Sequence, residues 1–304
     1  MTPGLFVSQA LSKKGNTMTA RFTTLIAASA AMLITAPAHA QNGSSDIGDW
    51  SGPYVGGSFG YGWGPNDNAE RNERILFDTN GDGQFGDTVS TIGGTDAFAP
   101  GFCRGRPNGN SAAGGCKGDR DGRAGWSIHA GFDRQMGSFV VGAVVEAGRK
   151  NISNTVTGFS STPAAYAMTR RLDWDAAARL RAGFALPTNT LIYATGGVAY
   201  GKFRNSFATT NGFNTFTQTE RKERDWGWVV GGGIEQKVSE NFSIGVIYKY
   251  TRFNPNDYRV VAGQGTPPSA TNPFVITPSG QTVFKRSSER FTTQDVRVTA
   301  SLRF

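Results

Sequence analysis

Apolar and polar residues alternate along much of this chain. In the run 172–184, every second residue from Leu172 to Phe184 is apolar. The residues between them are mostly polar or charged and include Asp173, Asp175, Arg179 and Arg181. A period of two residues predicts a β-strand with one apolar and one polar face. Strands of a soluble sandwich alternate in the same way, so this run alone does not separate a soluble sheet from a membrane-spanning one.

Seven further segments repeat the alternation. They are 51–63, 124–136, 139–148, 190–201, 225–237, 241–251 and 291–304. A tilted strand needs about 9–11 residues to cross a bilayer, and these segments have that length or slightly more. An even number of antiparallel strands closes into a barrel that leaves no exposed edge.

The connections between these segments alternate in length. Short turns lie near 137–138, 186–189 and 238–240. The long connections are 64–123, 149–170, 202–224 and 252–290. Short turns on one rim and long loops on the other are typical of outer-membrane barrels. The sequence therefore predicts an all-β fold, an eight-stranded antiparallel transmembrane β-barrel with long extracellular loops.

The N-terminal 40 residues have the features of an export signal. An apolar run from Phe22 to Ile34 follows Arg21, and Ala38-His39-Ala40 provides small residues for cleavage. The run is too short to span a bilayer as a helix. We expect residues 1–40 to be a signal peptide cleaved near Ala40, with one barrel domain at 41–304. Met18 is an alternative start that the sequence leaves open.

Composition agrees with a barrel and excludes two other classes. The chain has 41 glycines and 12% aromatic residues, but only 38% hydrophobic residues overall. A helical membrane bundle would need apolar runs of about 18 residues, and none occurs after the signal segment. A disordered chain would be poor in aromatic residues.

The last strand carries an alternating apolar row that ends on an aromatic residue. Its members are Val298, Ala300, Leu302 and Phe304. This row resembles the C-terminal signal that the bacterial outer-membrane insertion machinery recognises. The alternative is an ordinary last strand with an aromatic end.

Residues 49–63, from Asp49 to Trp63, resemble the opening strand of the alpha-proteobacterial small outer-membrane barrels. This porin family includes the Brucella-type surface antigens, which are similar in architecture to the OmpA transmembrane domain. Segments 193–200, 227–235 and 296–304 carry further matching features. The resemblance implies a non-enzymatic structural and surface role in a Gram-negative envelope. A narrow diffusion channel, or a surface protein that binds haemin, a host ligand or glycolipid, is the alternative.

The polar face of the strands carries both signs of charge. The residues with the inward phase are Asp133, Glu146, Asp173, Asp175, Arg179, Arg181, Glu235, Lys249, Asp295 and Arg297. Unpaired buried ions cost several kcal/mol each, so we expect these side chains to pair. Such a network would fill an eight-stranded lumen, and a selective channel for small solutes is the alternative.

One pair of residues is a candidate for catalysis. Ser127 and His129 share a face of one strand, and serine hydrolysis requires a base beside the nucleophile. No recognisable hydrolase motif surrounds them, so we expect no enzymatic activity.

The first long connection contains two further features. Cys103 and Cys116 are predicted to form a disulfide, because an exported protein meets an oxidising compartment. Apolar residues are sparse in this connection, so we expect residues 64–123 to have little order of their own.

The same connection contains the start of a calcium-loop pattern. Its candidate ligands are Asp78, Asn80, Asp82, Gln84 and Asp87. Position 12 is Val89 instead of glutamate. The alternative is a pair of tight turns, which Asn-Gly and Asp-Gly form without a metal. Apart from this possible calcium ion, no cofactor is expected.

Charge restricts the partners. The formal net charge is +8, and the connections 149–170, 202–224 and 252–290 are each net basic. A basic outer rim attracts the phosphates of surface glycolipid or steers anionic solutes. Nucleic acid is not expected, because the bases are dispersed over several loops of an exported protein. The expected partners are therefore outer-membrane lipid, surface glycolipid and the insertion machinery.

Overall fold

The computed structural model describes residues 48–64, 72–118 and 122–304. The predicted signal peptide and its cleavage site lie outside the described residues. Within these ranges no helix has the length and apolar character that crossing a bilayer requires.

The described residues form fifteen strands. In chain order they are β1 Gly52–Trp63, β2 Ile75–Asp78, β3 Phe102–Arg104, β4 Arg106–Pro107, β5 Cys116–Lys117, β6 Arg123–Met136, β7 Phe139–Ser160, β8 Ala164–Leu186, β9 Thr190–Thr209, β10 Thr215–Thr219, β11 Lys222–Ser239, β12 Phe242–Phe253, β13 Arg259–Gly263, β14 Thr282–Arg286 and β15 Phe291–Arg303.

Eight of these strands close into an antiparallel barrel. The order around the ring is β1, β6, β7, β8, β9, β11, β12 and β15. The first and last strands complete the ring, with Phe59 opposite Val298 and Val55 opposite Leu302. Closure satisfies the backbone hydrogen bonds that lipid cannot satisfy. The predicted eight-stranded barrel is confirmed.

The alternation decides which face meets lipid. Outward residues such as Phe59, Leu180 and Val298 are 64%, 71% and 60% exposed, whereas the charged residues between them are buried. The periplasmic turns are short, as predicted, because β6 and β7, β8 and β9, and β11 and β12 are joined by two or three residues.

Two of the predicted loops are mostly β-structure. Strands β7 and β8 continue through 149–170 to a three-residue turn at 161–163, and β9, β10 and β11 occupy most of 202–224. The prediction of loops there was wrong. Residues 164–168 are buried without interruption, so both faces of the strand are covered and the sequence loses its period of two.

The covering layer is a second sheet with strand order β10, β13, β14 and β2. Its strands come from three of the connections on the extracellular side. A buried cluster includes residues of this sheet and of the extended β7–β8 hairpin. Its largest members include Phe77, Phe98, Tyr166, Phe274 and Phe284. We call the second sheet, this cluster and the extended hairpin the cap.

Part of the first long connection, 64–123, is ordered because it packs into the cap. Ile75 and Phe77 are buried in the cluster, and Phe77 packs 5.0 Å from the ring of Phe284 and 4.4 Å from that of Phe98. The expectation of little order was wrong, because the apolar partners of this connection come from other connections.

Candidate functional site

The lumen is the site that the sequence predicted, and the structure places a closed ring of four charges there. Arg181 contacts Asp133 at 2.9 Å and Glu235 at 3.1 Å. Arg303 contacts the same two carboxylates, each at 3.0 Å. The four side chains come from β8, β6, β11 and β15, which are alternate strands of the barrel. Negative and positive groups therefore alternate around the wall, and each has two opposite neighbours.

Aromatic rings flank this charge ring on the side of the short turns. The guanidinium of Arg303 lies 4.6 Å from the ring centroids of Trp50 and Tyr54. The guanidinium of Arg181 lies 4.5 Å from the ring of Tyr193. Trp50 is fully buried, and its backbone oxygen accepts a hydrogen bond from Arg303 at 3.2 Å. The segment before β1 thus lies against the charge ring.

A second charged group lies farther toward the cap. Glu146 on β7 contacts Arg179 at 2.7 Å and also contacts Lys249 on β12. These two strands face each other across the ring, so the Glu146–Lys249 pair spans the lumen. Asp295 accepts contacts from Arg297 at 2.7 Å and from Lys150 at 3.1 Å.

An apolar layer separates the charged groups from the cap. Its buried members are Ile152, Leu172, Ala199, Phe203, Val229, Phe253 and Phe291. Phe203 packs 5.3 Å from Phe253 and 5.2 Å from Phe291, with the rings near perpendicular. Aromatic pairs in this geometry stabilise a packed core.

Nine of the ten predicted lumen residues lie in the two charged groups, and Asp173 does not. The strand pairing shifts between Leu172 and Trp174, which makes Asp173 the extra residue of a β-bulge. Above the bulge the phase reverses, so Leu172 faces inward and Asp173 contacts Arg171 and Arg204 on the outer surface, each at 2.9 Å.

Two members of the charged groups were missed by the sequence prediction. Arg303 lies on the polar phase of the last strand, so the alternation there was a sufficient signal. Lys150 lies two residues beyond the predicted end of its strand at 148, and it contacts Asp175 at 3.0 Å. Both supply positive charge that the predicted list lacked.

Ser127 and His129 face the lumen but bond to different partners. The Ser127 hydroxyl lies 2.6 Å from the hydroxyl of Ser58, and His129 Nε2 lies 2.9 Å from the hydroxyl of Ser301. No hydrogen bond joins Ser127 to His129 in the described part of the chain. The arrangement is that of network members on the lumen wall.

The remaining predicted site residues lie outside the lumen. Cys103 and Cys116 form a disulfide, as predicted. It joins β3, which pairs with β7, to the small β4–β5 hairpin. The predicted insertion row faces lipid, with Leu302 and Phe304 51% and 72% exposed.

The residues of the predicted calcium loop form turns. Asp78 accepts hydrogen bonds from the backbone N–H groups of Gly81 at 2.7 Å and Gly83 at 3.0 Å. Asp82 accepts one from Gln84, Asn80 accepts one from Asp82, and Asp87 accepts one from Thr79. Within the described ranges, no three acidic, His or Cys side chains are arranged to hold a metal. Asn80 also donates a side-chain hydrogen bond to Asp82 at 3.2 Å, and the calcium loop stays a prediction.

Fold, topology and lumen define an outer-membrane β-barrel. The chain belongs to the outer membrane protein β-barrel domain family, whose sequence profile matches residues 26–265. It is 24% identical over 226 residues to a 31 kDa outer-membrane immunogenic protein of Brucella melitensis, covering 74% of this chain and 80% of that protein. It is also 24% identical over 139 residues to a 22 kDa outer membrane protein of Rhizobium leguminosarum, covering 46% and 57%.

Among solved structures, OprG of Pseudomonas aeruginosa aligns with a TM-score of 0.44 at 9% identity. The alignment covers 84% of this chain and 97% of OprG.

Proposed function

We propose that this protein is a closed, non-enzymatic barrel with a structural and surface role in the outer membrane. The alternating ring of Asp133, Arg181, Glu235 and Arg303 carries the proposal, because it joins four strands across the lumen. The structural role agrees with membership of the family. Because its lumen is closed, the barrel does not act as a pore in this proposal.

Several layers oppose passage of a solute. A hydrated ion would have to open the charge ring, the Glu146–Lys249 pair and the apolar layer around Phe203 in turn. Leaving one partner of a buried ion pair uncompensated costs about 3–5 kcal/mol, so each charged layer opposes opening. An eight-stranded barrel is only wide enough for side chains to fill its interior. The diffusion channel is therefore the weaker candidate.

The absence of enzymatic activity rests on the geometry around His129. A serine nucleophile needs a base within hydrogen-bond reach, and Ser127 instead contacts Ser58. His129 contacts Ser301, so the two residues support the barrel wall as members of separate polar pairs.

Conductance of the mature protein in a planar bilayer tests the closed lumen. We expect no discrete current steps under conditions in which an open porin, added as the positive control, gives them. Regular single-channel steps from correctly folded protein would contradict the proposal and favour the diffusion channel. Leakage of periplasmic marker proteins from a deletion strain, restored by the wild-type gene, tests the structural role separately.

A further inference from the structure

Five basic side chains lie together on the outer face of the barrel. They are Arg171, Lys202, Arg204, Lys222 and Arg224, and we call them the basic patch. Arg204 lies directly opposite Arg171 on β8 and Lys222 on β11. Lys202 lies directly opposite Arg224, two positions closer to the membrane. Directly opposed residues on antiparallel strands have Cα atoms about 4.5–5.5 Å apart.

The patch contains one acid, and that acid is already shared. Asp173 accepts contacts from Arg171 and Arg204, each at 2.9 Å, and is buried beneath them. Among the described residues, Lys202, Lys222 and Arg224 have no acidic partner. Like charges directly opposed on neighbouring strands are destabilising. The patch therefore has an excess of four positive charges that an external anion would relieve.

A band of aromatic residues shows where the basic patch lies relative to the membrane interface. Trp174, Tyr200 and Trp226 lie side by side on the same three strands, with ring centroids 6.2 Å and 5.0 Å apart. Aromatic girdles mark the interfaces of membrane barrels. The basic patch lies immediately on the cap side of this band, which is the level of lipid headgroups in the outer leaflet.

The basic residues are densest on β8, β9 and β11. Single outward bases follow on the neighbouring strands, with Arg149 on β7 opposite Trp174 and Arg252 on β12 opposite Trp228. At the corresponding positions of β1 and β15, beyond Tyr61 and Val296, the opposed residues are Trp63 and Gln294. Both are uncharged. A general attraction to an anionic surface does not require several bases side by side, whereas the binding of a single headgroup does.

We propose that the basic patch binds a phosphorylated glycolipid of the outer leaflet that carries two phosphate groups. Each phosphate monoester has about −1.5 to −2 charge at pH 7, so two of them match the excess of four positive charges. The guanidinium forks of Arg204 and Arg224 suit phosphate oxygens. Below the band, the outward Ala176, Leu180 and Val198 offer an apolar surface to the acyl chains. This inference adds a specific lipid site to the proposed structural role.

Binding of a bis-phosphorylated lipid A to the refolded protein in non-ionic detergent tests the site, with native mass spectrometry as the readout. We expect the K202Q/R204Q/R224Q variant to bind about 100-fold more weakly, because each base near a lipid phosphate contributes about fivefold. The matched control is R106Q/K117Q/R134Q, which removes three exposed bases elsewhere and should bind as the wild type does.

Each outcome of this experiment is decisive. Equal binding by the patch variant and the wild type would overturn the proposal. Equal binding of phosphatidylglycerol, or complete competition by millimolar inorganic phosphate, would overturn the choice of a glycolipid. If the triple variant does not show the mobility shift of a folded barrel in unboiled electrophoresis, Arg224→Gln alone should still weaken binding about fivefold. A conducting barrel with intact lipid A binding would contradict only the closed lumen.

Discussion

Arg286 is the residue that joins the second sheet of the cap to the extended hairpin. Its guanidinium donates two hydrogen bonds to Glu73, each 2.6 Å long, in a bidentate arrangement. It also donates to the backbone oxygens of Asn154 on β7 at 2.9 Å and Met168 on β8 at 3.1 Å. A planar guanidinium with five donors suits this position, and a lysine would leave several of these acceptors unsatisfied.

We expect Arg286→Met to destabilise the cap by about 3–5 kcal/mol, because it leaves the Glu73 carboxylate buried without its partner. The measurement is the urea midpoint at which added protease begins to cut residues 72–118. Lys285→Met is the matched control. Its ion pair with Glu289 is partly exposed, so its loss should cost at most about 1 kcal/mol. An unchanged midpoint in Arg286→Met would show that the pair does not hold the cap.

At the residue scale, the sequence predicts charges well where a strand is regular. Arg179 and Arg181 lie in the lumen as their phase requires, because that part of β8 has no irregularity. Asp173 does not, because a single bulged residue reverses the phase of everything beyond it. The alternation contains no signal for such a bulge, since a polar residue such as Asp173 is acceptable both in the lumen and on the outer surface beyond the lipid.

At the scale of elements, the sequence predicts the strands that cross the membrane and misses their continuation. A period of two arises when one face is apolar and the other polar. The membrane segments meet this condition, but 164–168 does not, because both of its faces are buried, one of them in the aromatic cluster of the cap. The cap core is harder still to predict, since Phe77, Tyr166 and Phe284 come from three different connections.

The last strand completes the barrel and also carries the predicted insertion row. The backbone N–H of Phe304 donates a hydrogen bond to Pro53 at 3.0 Å, and its ring is exposed on the lipid face. We expect deletion of Phe304 to leave most of the protein misfolded in the periplasm, because the terminal aromatic of the row is lost. Surface labelling of intact cells and blotting of the periplasmic fraction measure this.

Phe184→Ala is the control for this deletion. Phe184 is another aromatic residue of the lipid face, 61% exposed, and it lies outside the last strand. This variant should reach the surface at nearly the wild-type level. Normal surface levels of the chain that lacks Phe304 would mean that the row is an ordinary strand end.

On the scale of the whole molecule, barrel and cap depend on different forces. The barrel has a closed backbone hydrogen-bond ring with an apolar exterior that requires lipid or detergent. The cap has a buried aromatic cluster of the kind found in water-soluble domains, in which Phe284 packs against Phe77, Phe274 and other rings. The two parts should therefore lose structure in separate steps, with the cap first.

We expect Phe284→Ala to lower the stability of the cap by about 3–5 kcal/mol and leave the barrel intact, because it removes a fully buried ring from the centre of the cluster. Two measurements follow the two parts on one sample: protease cleavage of 72–118 and 254–290 reports the cap, and the mobility shift in unboiled electrophoresis reports the barrel. Phe213→Ala removes the same ring from a site that is 84% exposed, so it should change neither. If Phe284→Ala abolished the mobility shift together with protease resistance, cap and barrel would form one cooperative unit, and the cap core would be part of what keeps the barrel closed.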